Sequence, residues 1–282
     1  MGTKMLTKKT IGFLGAGNLA EALIKGLLAS KSVGASQLIA SDKVSERLLH
    51  LARAYEVKVY SKNYEAARNA DIIFLTVKPN DAREVLTEIA PEIGGGKLLI
   101  SAAAGVTTTA ILQTLKEGGA KSLVQVVRAM PNTPVIVREG AIGLCAGIGA
   151  GKKGLDLARA IFEAVGKVIV VEDEPLLDSV TGLSGSGPAY VFLFMEALAE
   201  AGIKAGLSEE SAKTLALQTT LGAAKLAIES PKDLMELRRM VTSPGGTTIE
   251  GIKKLEEAGF KEAVERAVAA ATKRAKELSG KR

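Results

Sequence analysis

Over the first 171 residues, short runs of apolar residues alternate with stretches whose apolar positions have helical spacing. The run 71–77 is apolar at nearly every position, which is typical of a central parallel strand covered on both faces. Strands that alternate with helices predict a doubly wound parallel sheet. The last strands follow shorter connections, so we expect a mixed edge. The predicted strands are 10–14, 38–41, 57–60, 71–77, 97–102, 123–129, 141–146 and 167–171.

After Asp173 the pattern changes to helical periodicity, and strand signals disappear. Small residues recur along these helices and favour close packing within a chain or between chains. The apolar surface around Phe192 is too large for a lone helical hairpin, so we expect a dimer. The sequence predicts an α/β chain, with a Rossmann-like dinucleotide-binding domain over 1–172 and an all-α dimerisation and substrate domain over 173–282. The predicted helices of the second domain are 187–205, 208–229, 246–258 and 260–278.

The amino-acid composition excludes several kinds of functional site. The chain has 282 residues, of which 47% are hydrophobic and 24% charged, as in globular proteins. Its single cysteine, Cys145, excludes an intramolecular disulfide and a cysteine-based zinc site. Its single histidine, His50, lies in a predicted helix with no histidine or acidic cluster around it in the sequence. We therefore expect neither a histidine-dependent catalytic triad nor a metal centre.

The net charge of +6 raises the question of nucleic-acid binding. The basic residues are dispersed, aromatic residues make up only 4% of the chain, and tryptophan is absent, which argues against it. The positive surplus suits an anionic cofactor and substrate instead. The longest apolar runs, such as 98–106, are too short to span a bilayer. The N-terminus shows no signal-peptide core, and Leu6 breaks a myristoylation pattern, so we expect a cytoplasmic protein.

A glycine turn follows the first predicted strand and opens an amphipathic helix. Its sequence, Gly15-Ala16-Gly17-Asn18-Leu19-Ala20, fits the dinucleotide-binding pattern G-x-G-x-x-A. Gly15 would make the turn, Gly17 would let a pyrophosphate approach, and Ala20 would allow close packing of helix and strand. The second strand ends at Asp42, where a ribose-binding acid is expected. A purely structural turn between strand and helix is the alternative.

A second bend, Thr242-Ser243-Pro244-Gly245-Gly246-Thr247-Thr248, precedes a helix in the last third of the chain. Its two glycines after a proline let a ligand approach the backbone closely. Unpaired N–H groups at a helix start suit a carboxylate or phosphate. The alternative is an ordinary turn before a helix capped by the side chain of Thr247 or Thr248.

Four further loops follow predicted strands or precede the first long helix, and each could bind a ligand. Lys78 could meet a phosphate or ribose, and the small side chains after Ser101 would let a nicotinamide ring lie against the backbone. Any one loop could be plain turn chemistry, but all of them together with the bend are hard to explain in that way. The loops are Val77-Lys78-Pro79, Ser101-Ala102-Ala103-Ala104-Gly105, Met130-Pro131-Asn132-Thr133-Pro134 and Gly182-Leu183-Ser184-Gly185-Ser186-Gly187-Pro188.

In their order and spacing these motifs resemble those of pyrroline-5-carboxylate reductase over nearly the whole chain. The resemblance implies NAD(P)H-dependent reduction of 1-pyrroline-5-carboxylate to L-proline by an interwoven dimer, often within a ring of dimers, with substrate held between subunits. Two stretches depart from the family pattern. Residues 233–240 lack the His-Pro-Gly and Lys-Asp that commonly precede the bend, and Ser41-Asp42-Lys43 lacks a Ser-Arg pair that would seat a 2′-phosphate. The resemblance therefore implies NADPH or NADH as cofactor and leaves the preference between them open.

We expect Thr248 to be the catalytic residue that contacts the ring nitrogen, as the matching threonine does in the family. A cyclic imine can carry its own proton, so the site needs no histidine. The predicted substrate residues are Ser184, Gly245, Gly246, Thr247 and Thr248. The predicted cofactor residues are Gly15, Ala16, Gly17, Asn18, Leu19, Asp42, Asn63, Val77, Lys78, Pro79, Ala103, Ala104 and Asn132.

Two alternatives remain at this point. A β-hydroxyacid dehydrogenase on the same scaffold needs a helix lysine in a Gly-x-x-x-Lys-x-x-x-Asn setting, and Lys204, Lys213 and Lys225 all lack it. A dinucleotide-sensing protein would use the sheet for binding alone, against which the intact loops of the second half argue.

Overall fold

An eight-stranded sheet forms the first part of the protein. A computed structural model describes residues 5–280 of the chain. All eight strands predicted from the sequence are confirmed, each within three residues of its expected bounds. They are β1 (Ile11–Leu14), β2 (Leu38–Ser41), β3 (Lys58–Tyr60), β4 (Ile72–Leu75), β5 (Leu98–Ser101), β6 (Gln125–Met130), β7 (Gly140–Ala146) and β8 (Gly166–Val170).

The strand order is β3-β2-β1-β4-β5-β6-β7-β8. Strands β1 to β6 are all parallel to one another, β7 is antiparallel to β6, and β8 is parallel to β7. The predicted doubly wound sheet with a mixed edge is therefore confirmed. The order reverses between β1 and β4, and in open sheets of this kind ligands bind in the crevice outside the carboxyl ends of the strands at that reversal.

Helices cover both faces of the sheet, and alternate residues of the strands supply two separate cores. On one face Phe13 stacks on Phe74 with ring centroids 5.1 Å apart, and Phe74 meets Phe162 at 5.6 Å. The other face contains Ile73 and Leu75. The helices of this part are α1 (Asn18–Ala29), α2 (Ser45–Tyr55), α3 (Asn63–Asn69), α4 (Ala82–Ile89), α5 (Thr108–Glu117), α6 (Gly151–Phe162) and α7 (Leu176–Val180), followed by a π-helical turn, Thr181–Gly185.

The rest of the chain is helical. It contains α8 (Gly187–Lys204), α9 (Glu209–Glu229), α10 (Leu234–Met240), α11 (Thr247–Glu257) and α12 (Phe260–Ser279). The four helices predicted here are confirmed, but α10 was missed. Its signal was a capping box, in which the Asp233 side chain accepts from the Glu236 N–H and Glu236 accepts from the Asp233 N–H.

The chain separates into two compact units, of which one is Gly187–Ala269 and the other comprises the preceding residues and the segment from Ala270 onward. The domain boundary near residue 172 stays a prediction. None of the helices within residues 5–280 combines the length and the hydrophobicity that a bilayer crossing requires.

An ion pair between a buried arginine and a partly buried glutamate links β6, the start of α5 and the segment before α7. Arg128, on β6, is only 6% exposed. One oxygen of Glu174 accepts from Arg128 Nη1 at 2.9 Å and from the backbone N–H of Thr108, at the start of α5, at 2.7 Å. A single carboxylate thus satisfies a buried guanidinium and one of the otherwise unpaired N–H groups of a helix start. Sequence analysis did not identify this cluster.

We expect Glu174→Ala to destabilise the protein by about 3 kcal/mol, because removing one partner of a buried pair leaves the other charge uncompensated. The loss should appear as a lower midpoint of denaturant unfolding at fixed protein concentration. Glu172→Ala, which removes an exposed glutamate two residues earlier, is the matched control and should cost less than about 0.5 kcal/mol. Equal midpoints for the two variants would contradict this assignment.

Candidate active site

The glycine turn lies at the carboxyl end of β1. Gly15 has φ +101°, and a Cβ placed on it would lie 2.9 Å from Val77 Cγ1, so only glycine fits there. Gly17 differs, since its φ is −77° and a Cβ would meet no atom within 4 Å. No side chain caps the start of α1. The open space at Gly17 and the uncapped helix start fit the approach of a pyrophosphate.

Asp42 follows β2 and braces the glycine turn. Its Oδ2 accepts from the Ala16 N–H at 2.6 Å, and its Oδ1 accepts from the Val44 N–H at 2.9 Å. Both oxygens of the predicted ribose-binding acid are therefore bonded to backbone, with lone pairs left for further donors.

A cluster around Glu21 lies beside the turn and was not predicted. Arg47 Nη2 donates to Glu21 Oε2 at 2.7 Å, and Arg47 Nε donates to the Ala16 carbonyl at 2.9 Å. His50 Nε2 and the Tyr55 hydroxyl contact the other Glu21 oxygen at 2.7 and 3.1 Å. Burial alone would raise the pKa of Glu21, but hydrogen bonds from His50, Arg47 and Tyr55 outweigh it and lower the pKa to about 2.

His50 therefore has an acidic partner, Glu21, which the sequence pattern did not reveal because it lies 29 residues away. Its partners hold it as part of this cluster between α1 and α2. That it takes no catalytic part stays a prediction.

The loop after β4 places Val77, Lys78 and Pro79 at the same sheet edge as the glycine turn. The Thr76 hydroxyl donates to the carbonyls of Leu14 and Gly15 at 3.0 and 2.8 Å, which ties the end of β4 to the turn. The Lys78 side chain is exposed. After β5, Ala103 is buried and Ala104 is half-buried. Asn18 and Leu19 begin α1 beside the open space at Gly17.

The side chains of two predicted cofactor residues, Asn63 and Asn132, form hydrogen bonds with other residues of the protein. Asn63 Nδ2 donates to Glu88 at 2.7 Å, and its Oδ1 accepts from Ser41 at 2.8 Å. Asn132 Oδ1 accepts from the Ala141 N–H at 2.9 Å, and its Nδ2 donates to the Ser184 carbonyl at 3.1 Å. They position the end of β2 and the loop after β6, and contact with a cofactor stays a prediction for both.

Ser184 lies in the π-helical turn, a feature that is frequent at functional sites. Its hydroxyl donates to the Val180 carbonyl at 3.0 Å and can still accept a bond. Asn132 therefore links the loop after β6 directly to this predicted substrate residue.

The bend before α11 is closed by a hydrogen bond from the Gly246 N–H to the Ser243 carbonyl at 3.0 Å. Gly245 has φ +72°, so proline second and glycine third fit a type II turn. The cap residue of α11 is Gly246, and no side chain caps the helix. The alternative of a threonine cap is therefore wrong, and Thr247 and Thr248 are both exposed in the first turn.

The turn changes which backbone N–H groups of the bend remain available to bind a ligand. The Gly246 N–H is used within the turn, whereas the N–H groups of Thr247 and Thr248 have no intrahelical partner. A Cβ on Gly246 would lie 2.6 Å from Ser243 Oγ, so a side chain there would disrupt the turn. Within residues 5–280 no cluster of side chains suited to a metal ion occurs.

Comparison with known proteins matches both halves of the chain. The family model described as pyrroline-5-carboxylate reductase dimerisation matches residues 174–278, and the model described as NADP oxidoreductase coenzyme F420-dependent matches residues 10–105. The chain is 42% identical to the pyrroline-5-carboxylate reductase of Pseudomonas aeruginosa, over 95% of this chain and 96% of that one. It belongs to the pyrroline-5-carboxylate reductase family.

Other members of the family agree with this assignment. The reductase of Methanosarcina acetivorans is 43% identical over 98% of this chain and all of its own. The solved reductase of Coxiella burnetii superposes with a TM-score of 0.90 at 42% identity, covering 96% of this chain and 98% of that one. A Plasmodium falciparum pyrroline carboxylate reductase with NADP bound has a TM-score of 0.83 at 33% identity, covering the same shares. The chain thus shares the fold of these reductases over 96% of its length.

The two turn glycines should respond differently to substitution. Gly15→Ala should lower the free energy of unfolding by roughly 1–3 kcal/mol, because an L-residue is strained at its φ. Gly17→Ala should leave the thermal midpoint nearly unchanged but weaken dinucleotide binding by roughly 1–3 kcal/mol, about 5- to 150-fold, because its methyl group occupies the open space. Unaltered dinucleotide affinity in a folded Gly17→Ala variant would contradict the role given to Gly17.

Proposed function

We propose that this chain catalyses the NAD(P)H-dependent reduction of 1-pyrroline-5-carboxylate to L-proline. The observation that carries the proposal is the Pro-Gly-Gly-Thr-Thr bend, which leaves the start of α11 without a side-chain cap and two threonine hydroxyls exposed. Its relatives over nearly the full chain are named for this activity. The reaction needs a dinucleotide site and a site for a small anionic imine, and the chain has candidates for both.

The bend supplies what a cyclic imino acid requires. The N–H groups of Gly245, Thr247 and Thr248 grip the substrate carboxylate at the positive end of α11, while Gly246 keeps the approach free of a side chain. The Thr248 hydroxyl accepts a hydrogen bond from the protonated ring nitrogen. Ser184 contributes a second hydroxyl for the substrate. Since the imine carries its own proton, this chain's residues act by positioning and need no strong acid.

When bound, the reduced nicotinamide supplies the hydride that adds to the imine carbon. The glycine turn would hold the pyrophosphate at Gly17, and Lys78, in the loop at the same sheet edge, would contribute positive charge. Ala103 and Ala104 present small side chains after β5, which leaves room for a flat ring. Asp42 accepts from the hydroxyls of the adenosine ribose.

Self-association follows from the dimerisation model that matches residues 174–278. We propose a homodimer, with a ring of dimers as the larger assembly. The exposure of Phe192, Leu193 and Ile228, at 56%, 66% and 78%, supports a partner copy over α8 and α9. The enzyme binds neither nucleic acid nor membrane, and it works in the cytoplasm.

Initial rates test both the reaction and the cofactor choice. With 1-pyrroline-5-carboxylate we expect oxidation of NADH at least as fast as that of NADPH, because Asp42 disfavours a 2′-phosphate by charge repulsion. With 3-hydroxy acids and the oxidised cofactors we expect no turnover. Oxidation of 3-hydroxy acids without imine reduction would support the hydroxyacid dehydrogenase instead. A kcat/KM for NADPH more than tenfold above that for NADH would contradict the cofactor choice.

Substitutions at the bend test the substrate site. Thr248→Ala removes one hydrogen bond to the reacting nitrogen, for an expected loss of roughly 1.5–3 kcal/mol, or about 10- to 150-fold in kcat/KM. Activity should fall without disappearing, because the nitrogen keeps its proton. Gly246→Val should be worse, since its side chain meets Ser243. Thr242→Ala, whose parent hydroxyl already donates to the Arg238 carbonyl, is a control outside the grip. Parental kcat/KM in both Thr248→Ala and Gly246→Val would place the site elsewhere.

A further inference from the structure

The cluster around Glu21 lies beside the glycine turn, where Arg47 and the predicted ribose-binding Asp42 both bond to Ala16. We propose that Glu21 is a positioning residue for cofactor selectivity, which holds Arg47 away from the 2′ position of the adenosine ribose and so disfavours NADPH. The inference rests on the proposed function in that the ligand is a nicotinamide dinucleotide.

Arg47 lies where a 2′-phosphate contact is made in dinucleotide-binding folds. It occupies the first turn of α2, the helix that follows β2, and its Nε donates to the Ala16 carbonyl at 2.9 Å. The N–H of the same residue, Ala16, donates to Asp42 at 2.6 Å. Arg47 and Asp42 therefore flank one residue of the glycine turn. An acid at this place binds the ribose hydroxyls, and an arginine nearby accommodates a 2′-phosphate.

Glu21 and the Ala16 carbonyl together occupy one edge of the Arg47 guanidinium, which a phosphate could otherwise bind. A bidentate grip uses two N–H groups along one edge of the guanidinium. The edge formed by Nε and Nη2 of Arg47 is already bonded to the Ala16 carbonyl and, at 2.7 Å, to Glu21 Oε2. The two side chains are 32% and 23% exposed, so solvent only partly screens the pair. Glu21 thus both orients Arg47 and neutralises its charge.

Glu21 is itself held in place from its other side. His50 Nε2 and the Tyr55 hydroxyl both contact Oε1, at 2.7 and 3.1 Å, which leaves Oε2 for Arg47. His50 and Tyr55 also pack edge to face with ring centroids 6.3 Å apart. The carboxylate therefore has one fixed orientation, toward Arg47, and it stays ionised at neutral pH.

The other cation near the ribose position does not replace Arg47. Lys43 follows Asp42 directly, but its side chain is 82% exposed, and its Nζ lies 3.8 Å from Asp81. Near the end of β2 the carboxylates of Glu21 and Asp42 therefore face one engaged guanidinium and one solvated ammonium. Unless Arg47 were released, a 2′-phosphate would therefore find two carboxylates nearby and this edge of the guanidinium already occupied.

The test is to release Arg47 and measure cofactor binding without the imine. The affinities of NADPH and NADH are determined from nicotinamide fluorescence for the parent, Glu21→Ala and Glu21→Gln. In Glu21→Ala the ratio of NADPH affinity to NADH affinity should rise about tenfold, which is about 1.4 kcal/mol. Glu21→Gln keeps an acceptor without the charge and should give a smaller rise. NADH affinity alone should change less than about threefold.

Two control variants separate positioning from a general effect of charge. Glu46→Gln removes an exposed carboxylate from the residue before Arg47 and should leave the ratio unchanged. In the double variant Glu21→Ala/Arg47→Ala the gain should vanish, because the released guanidinium is its source. The inference is overturned by a Glu21→Ala ratio within twofold of the parent, by a gain that survives in the double variant, or by an equal gain in Glu46→Gln.

The outcome is separable from that of the proposed function. If the parent binds both cofactors but does not reduce the imine, the proposed function fails while the affinity ratios still decide the role of Glu21. If the parent binds neither cofactor, both proposals fail.

Discussion

The turn at Gly15 must pass between the ends of β2 and β4, and this constraint organises the sheet unit. The Gly15 N–H donates to the Ser41 carbonyl at 2.8 Å, and its own carbonyl accepts from the Thr76 hydroxyl at 2.8 Å. A Cβ on Gly15 would lie 3.0 Å from backbone atoms of Thr76 and Val77. The chain can leave β1 and start α1 here only without a side chain. The positions of Gly17, Asp42 and Arg47 all depend on that passage.

The same constraint explains why so much of the sheet could be predicted from the sequence. Buried parallel strands are short apolar runs, and glycine marks the turn after the first of them. The run 71–77 predicted a strand that extends past β4, which ends at Leu75. Thr76 leaves the strand to bond the glycine turn, and no pattern of apolar residues encodes that bond. Helix α10 was missed because seven residues are too few to show a periodicity.

In the candidate site, too, the features set by neighbouring residues were predicted, whereas contacts between distant residues were not. Gly15, Gly245 and the helix starts were predicted because backbone conformation leaves a signature in neighbouring residues. The pairs Glu21–Arg47 and Arg128–Glu174 were not, since their partners are 26 and 46 residues apart in the sequence. The bonds of Asn63 to Glu88 and of Asn132 to Ser184 were missed for the same reason. A motif shows that a residue is near the site, but the folded contacts decide which of its groups remain available to a ligand.

The two units differ in how completely each buries its own apolar residues. The core strands β1, β2, β4 and β5 are buried at every position. In contrast, no residue of α8 is buried in the single chain, and only Ala212 and Ala216 are buried in α9. Helices of this length gain most of their stability from packing of an apolar face, which a lone chain does not provide here. A partner copy must therefore supply the missing core. The Pro-Gly-Gly-Thr-Thr bend belongs to this helical unit, so the stability of the helices around it depends on self-association and therefore on protein concentration.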